Sequence, residues 1–172
     1  GDKDFDDWGA VHEAIMRECR AFNPDSWVDK INEDCTLLDI AAFAGHVKLV
    51  NLLIERGHDV NDVQCREEKS ALHYAAWRGD VEVVNLLIQN GADMNAVDIQ
   101  NETALHWAIY GHIDSVKVLI QAGADVNNRS SESGMTPLLR ATDEGKVNIM
   151  KVLIQNGADV NATNSYGDSV IQ

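Results

Sequence analysis

Six histidines, three cysteines and 28 acidic side chains are what this chain of 172 residues could use for chemistry. Nucleophilic or acid–base catalysis needs a nucleophile beside its base, metal chemistry needs a ligand cluster, and phosphate binding needs a glycine-rich cradle. The sequence contains no G-x-G-x-x-G, G-K-S/T, G-x-S-x-G or H-E-x-x-H pattern. His106 and His112 lie six residues apart, which does not place them on one helical face. Cys19, Cys35 and Cys65 form an odd set without a Cys-x-x-Cys pair, so they encode neither a disulfide framework nor a zinc site. The adjacent carboxylates Glu67 and Glu68, and Asp143 and Glu144, point away from each other and read as solvated surface charge. These residues imply no catalytic group, no bound metal and no cofactor.

The charge balance points away from two classes of partner. Fourteen basic against 28 acidic residues give a net charge of −14, which repels a nucleic-acid backbone and an anionic membrane surface alike. A hydrophobic content of 45% with 24% charged residues is that of an ordinary globular domain. No run approaches the roughly 18 apolar residues a membrane span requires, and the opening GDKDFDDWG is acidic, opposite to a signal peptide. Unpaired cysteines fit a reducing, intracellular and cytoplasmic setting. The Asn-x-Ser/Thr triplets beginning at Asn101, Asn128 and Asn161 would be glycan acceptors in a secreted protein, but repetition alone generates them. Gly1 without a preceding Met reads as a segment cut from a longer chain.

Any side chain here must be positioned by a repeated element. ERGHDVN, QNGADMN, QAGADVN and QNGADVN align on Gly57, Gly91, Gly123 and Gly157, at spacings of 34, 32 and 34. Thr36, Ser70, Thr103, Thr136 and Ser169 recur at 34, 33, 33 and 33. Each opens a short helix, because a Thr or Ser hydroxyl can accept from an otherwise unpaired backbone N–H, and Pro137 adds a preset first turn. A glycine at 45, 79, 111 or 145 breaks that helix. A second helix follows with apolar spacing such as Val81, Val83, Val84, Leu86, Leu87 and Ile88, wide enough to be covered on both flanks. The closing glycine supplies a left-handed stop.

SALHYAAWRGDVEVVNLLIQNGADMNA and TPLLRATDEGKVNIMKVLIQNGADVNA closely resemble the ankyrin repeat, a unit of about 33 residues with a T-P-L-H-x-A signature. The resemblance implies an all-α repeat solenoid: stacked antiparallel helix pairs with β-hairpin fingers projecting sideways, together enclosing a concave face. One helix pair cannot bury its own apolar face, so units must stack. The chain divides into a capping unit over 1–34, full units over 35–68, 69–101, 102–134 and 135–167, and the start of another over 168–172. Val11, His12 and Ala14 echo the motif in the capping unit, where Trp8 and Trp27 are expected to cover the first interface. The broken final unit implies a chain continuing past Gln172.

In the family the motif histidine, here His73 and His106, ties turns together by hydrogen bonds; Asp39 and Leu139 replace it in the outer full units, whose interfaces are expected to be looser. His46 and His112 follow the glycine between helices, and His58 stands in the Gly-Ala-Asp stop; all read as structural. The resemblance gives Asn61, Asn95, Asn127 and Asn161 a turn-holding role, with asparaginyl hydroxylation as a second role in animal cells. Glu68 and Asn101 stand where the hairpin usually has Gly. Asn tolerates a left-handed backbone and Glu does so poorly, so the extra residue between Asp59 and Ser70 is expected to spare Glu68 that conformation. The two longer fingers, 59–70 and 125–136, are expected to be irregular.

The letters that differ between units are the candidates for recognition. Phe43, Trp77, Tyr110 and Asp143 stand seventh after each opening Thr or Ser, and stacking aligns them. Aromatic residues are enriched among interface hot spots, so they form a candidate binding stripe; alternatively, each ring merely seals its neighbour's hairpin. Arg78 could pair with a partner carboxylate, and Asp143 and Glu144 make the far end acidic. The finger residues Ile99, Gln100, Glu102, Arg129, Glu132, Ser133 and Met135 would rim the groove, with Ile99 and Met135 apolar where solvent is expected. Arg140 follows Ile40, Tyr74 and Trp107 in an inward column and needs a partner that the sequence does not name. The expectation is a noncatalytic, monomeric protein-interaction module whose partner offers an apolar and a basic segment. The alternative is the targeting or regulatory domain of a larger enzyme.

Overall fold

The computed structural model describes residues 35–170; the expected capping unit, with Trp8, His12 and Trp27, lies outside them. Among the described residues, eight helices occur as four pairs. The inner helices are α1 (Leu37–Ala44), α3 (Ala71–Arg78), α5 (Ala104–Ala108) and α7 (Pro137–Asp143); the outer ones are α2 (Val47–Glu55), α4 (Val81–Gln89), α6 (Ile113–Gln121) and α8 (Val147–Gln155). Each inner helix packs on its outer mate and on the inner helix of the next unit, and the outer helices stack likewise. The fold is the expected all-α repeat stack.

The caps work as the sequence implies. Thr36 accepts from the Asp39 amide at 3.0 Å, and Thr136 from the Leu139 amide at 3.2 Å. Gly79 ends α3 at φ 79°, and a Cβ there would overlap the His112 ring of the next unit. α5 is only five residues long, because its unit lacks one residue before Gly111, and Tyr110 falls in the following turn.

The core is a column repeated in register. Leu38, Leu72, Leu105 and Leu138 on the inner helices, and Leu53, Leu87, Leu119 and Leu153 on the outer ones, are all essentially inaccessible. Burying such a side chain contributes about 1.5–3 kcal/mol. Ala41, Ala75, Ala108 and Ala141 on the inner helices are fully buried as well.

The fingers follow a second register. Their left-handed position falls at Glu68, Asn101, Gly134 and Gly167, with φ of 53°, 57°, 62° and 88°. The extra residue in the 59–70 finger therefore does not spare Glu68, contrary to expectation. The carbonyl just before this position accepts from the next finger: Ile99 N to Glu67 O at 3.1 Å, Ser131 N to Gln100 O at 2.8 Å and Ser165 N to Ser133 O at 2.9 Å. This stitching fixes the backbone and holds Glu68 in its strained conformation. A left-handed non-glycine costs about 1–2 kcal/mol, partly offset by the greater chain entropy glycine loses on folding. Glu68→Gly is therefore expected to stabilise the protein by about 0.5–1 kcal/mol, read as a higher thermal midpoint; an unchanged or lower midpoint refutes strain at this site. Isolated bridges, Val97 to Thr103 and Thr163 to Ser169, close the two shorter fingers. The longer 125–136 finger is closed by Ser130 N–H donating to Met135 O at 2.9 Å.

Candidate functional site

Polar side chains first fix the scaffold. Ser70 N–H donates to His73 Nδ1 at 3.1 Å, so the Nε2–H donates to Glu102 O at 3.1 Å, in the next unit. His106 repeats this with Thr103 N (3.2 Å) and Met135 O (3.2 Å). Burial pushes both imidazoles down to about 4, so they are neutral. Asp39 accepts from Thr36 N at 2.9 Å, but its other oxygen is buried without a partner. Desolvation raises its carboxyl to about 7. The turn asparagines also bridge units: Asn61 Oδ1 accepts from Asp93 N and Asn127 Oδ1 from Asp159 N, both at 2.8 Å. These residues hold the stack.

A cavity of about 430 Å³ opens between the fingers and the inner helices. Trp107, Tyr110 and Arg140 form its helical side; Asp98, Ile99, Gln100, Glu132 and Ser133 belong to the fingers, with Lys69 and Glu102 at the junction. Arg140 finds the partner the sequence left unnamed: its guanidinium pairs with Glu102 and donates to Tyr110 Oη at 3.0 Å. Lys69 pairs with Glu67 and lies over the Trp107 ring, 4.2 Å from its centroid. Trp107 Nε1 donates to Asp98 Oδ2 at 3.2 Å. Burial lowers the Arg140 guanidinium from its ordinary value, opposed by the charges of Glu144, Asp143 and Asp98.

These contacts share one geometry. The residue before each helix-opening Thr or Ser is Cys35, Lys69, Glu102 or Met135, and the fourth residue of each inner helix is Ile40, Tyr74, Trp107 or Arg140. The first column of one unit meets the second column of the next: Cys35 with Tyr74, Lys69 with Trp107, Glu102 with Arg140. Sequence reasoning missed this pairing. The signal was available, because both columns vary while their neighbours repeat, but the offset of 38 or 39 residues crosses unit boundaries.

The structure sorts the candidate binding residues. Trp77 is half-buried and stacks on Phe43, centroids 5.5 Å apart and planes 7° from parallel. Phe43 itself is only 2% exposed and lies in a small apolar cluster with Cys35, Ile40 and Cys65, so its expected exposure is corrected. Tyr110 is 39% exposed and Ile99 56% exposed. Glu132, Asp143 and Glu144 are exposed. Glu102 is buried because it neutralises Arg140, and Met135 because its side chain turns into a cluster with Leu139 and Ala162; neither is a rim residue. Arg78 donates to Phe43 O at 3.2 Å, reaching back across a unit boundary rather than standing clear for a partner.

Among the described residues, no group of three or more His, Cys, Asp or Glu side chains is placed to hold a metal, and no helix is long and apolar enough to cross a membrane. A family model described as ankyrin repeats (3 copies) matches the sequence over residues 6–98, 38–130 and 72–164. No curated protein matches the chain. Ankyrin repeats are generally protein–protein interaction modules and typically noncatalytic. Histidine ties between units, asparagine-locked turns and helix pairs in register are what such a repeat needs to stack, and on that match the chain belongs to the ankyrin-repeat family.

Proposed function

We propose that the concave side of this stack binds a segment of a protein partner, apolar toward Trp77 and basic toward Asp143 and Glu144. The supporting observation is the 430 Å³ cavity, with Tyr110 and Ile99 exposed at its edge. Its two cations, Lys69 and Arg140, are already engaged by Glu67 and Glu102. The carboxylates of Glu132, Asp143 and Glu144 face solvent, which favours a basic rather than an acidic approach. Trp77 and Tyr110 supply flat aromatic area at low entropic cost, Ile99 adds apolar contact, and Phe43 backs Trp77 from below. Arg78, Glu102 and Met135 act by shaping this surface. The unit is monomeric and works inside the cell.

The test is a pull-down from the native cell type with the unaltered chain and with Trp77→Ala combined with Tyr110→Ala, folding being checked by circular dichroism. Truncating two hot-spot aromatics is expected to cost about 2 kcal/mol or more each, enough to lose the partner. Equal recovery of a specific partner by both folded forms would assign the aromatics to the stack alone.

A further inference from the structure

The first described unit buries two free cysteines that the scaffold does not need as thiols. Cys35 precedes the Thr36 cap, Cys65 lies in the finger of the same unit, and both are under 10% exposed. Tyr74 of the next unit holds them together: its hydroxyl lies 3.8 Å from Cys35 Sγ and 3.7 Å from Cys65 Sγ. Both sulfurs thus lie against one hydroxyl, within one small apolar cluster. Lys69 N–H donates to Cys65 Sγ at 3.2 Å; when protonated, that sulfur instead donates to Lys69 O, also at 3.2 Å.

This is a built environment for one thiolate and one thiol. The Cys35 side chain beside it lowers the Cys65 thiol to about 6, while the Cys65 side chain and burial raise Cys35 above its ordinary value. The Tyr74 hydroxyl is held protonated by burial and by the adjacent sulfurs, so it remains a donor. Asp39, whose charge acts on Cys35, is itself largely neutral below about 7. A thiolate is the form that peroxides attack, and a second thiol in contact traps the product as a disulfide.

We propose that Cys35 and Cys65 form a dithiol oxidation site, in which a hydroperoxide oxidises Cys65 and Cys35 resolves it to an intramolecular disulfide. In the first step the Cys65 thiolate attacks one peroxide oxygen, the O–O bond breaks, an S–O bond forms, and the departing hydroxide takes a proton from solvent. In the second, Cys35 sulfur attacks Cys65 sulfur, the S–O bond breaks, the S–S bond forms, and the Cys35 proton leaves with the hydroxide as water. Two thiols are oxidised, one hydrogen peroxide is reduced to two waters, and a thiol reductant reverses the change. The crosslink joins the start of the unit to its own finger, beneath the Phe43 and Trp77 rings.

The test treats the reduced full chain with hydrogen peroxide, blocks remaining thiols and maps disulfide-linked peptides by mass spectrometry. The expected product is the Cys35–Cys65 crosslink, with Cys19 alkylated. Cys35→Ser is expected to leave a Cys65 sulfenic acid that a cyclic dione traps, and Cys65→Ser to yield neither product. In the unaltered chain the oxidation rate should stay nearly flat from about pH 7 to 9, whereas thiols of the urea-unfolded chain should speed up by roughly tenfold or more across that range. A crosslink through Cys19, or a folded-state rate that climbs with pH as steeply as the unfolded one, overturns the assignment; these readings need no variant to fold.

Discussion

Arg140→Ala is expected to lower the unfolding free energy by roughly 3 kcal/mol, the lower part of the range for broken buried ion pairs, because 18% of the arginine side chain stays exposed. Its removal strands the Glu102 carboxylate, whose side chain is only 8% exposed, without the guanidinium it pairs with. Tyr110 loses its hydrogen-bond donor as well. The double change Arg140→Met with Glu102→Leu removes both charges and keeps the volume, so most of the loss should be recovered, since desolvating an ion pair consumes much of what its attraction supplies. Urea unfolding of the two variants decides the matter. If the double variant is no more stable than Arg140→Ala, the pair is not what holds this interface.

The second large effect is a stability profile with opposed slopes in acid. His73 and His106 titrate at about 4 in the fold and near 6.5 when unfolded. Between those values the unfolded chain carries two extra protons, so these histidines make stability fall as pH drops. Asp39 runs the other way: it holds its proton to about 7 in the fold and releases it near 4 when unfolded, so its contribution declines as pH rises through that window. Near pH 5 the balance is close to one net proton on the unfolded side, so stability should climb there by about 1.4 kcal/mol per pH unit, and more gently toward pH 6.5 as the unfolded histidines lose their protons. Asp39→Asn removes the opposing slope while keeping an acceptor for Thr36. The climb should steepen toward about twice that value and flatten above pH 6.5. Identical profiles for Asp39→Asn and the unaltered chain would mean that Asp39 is ionised throughout.

Much of this was legible in the chain itself. The spacing of Thr36, Ser70, Thr103 and Thr136 located the inner helices, and the recurring glycines located their ends, because caps and left-handed stops are local chemistry that a short stretch specifies. The leucine columns followed from the same register. Exposure was harder to read. Phe43, Trp77 and Tyr110 occupy one motif position, yet the first is buried, the second half-buried and the third open. α5 is short enough to leave Tyr110 in a turn, whereas Phe43 lies under Trp77 and beside Tyr74.

The repeat, its period, the capping residues and the absence of familiar catalytic motifs could be read along the chain, since each depends on neighbours close in sequence. The stacked fold was needed to reveal that Glu102 neutralises Arg140, that Lys69 covers Trp107, and that Tyr74 gathers Cys35 and Cys65. These contacts join residues of neighbouring units, most of them more than one repeat apart in the chain. Their partners are chosen by how successive layers stack, a geometry no local pattern carries.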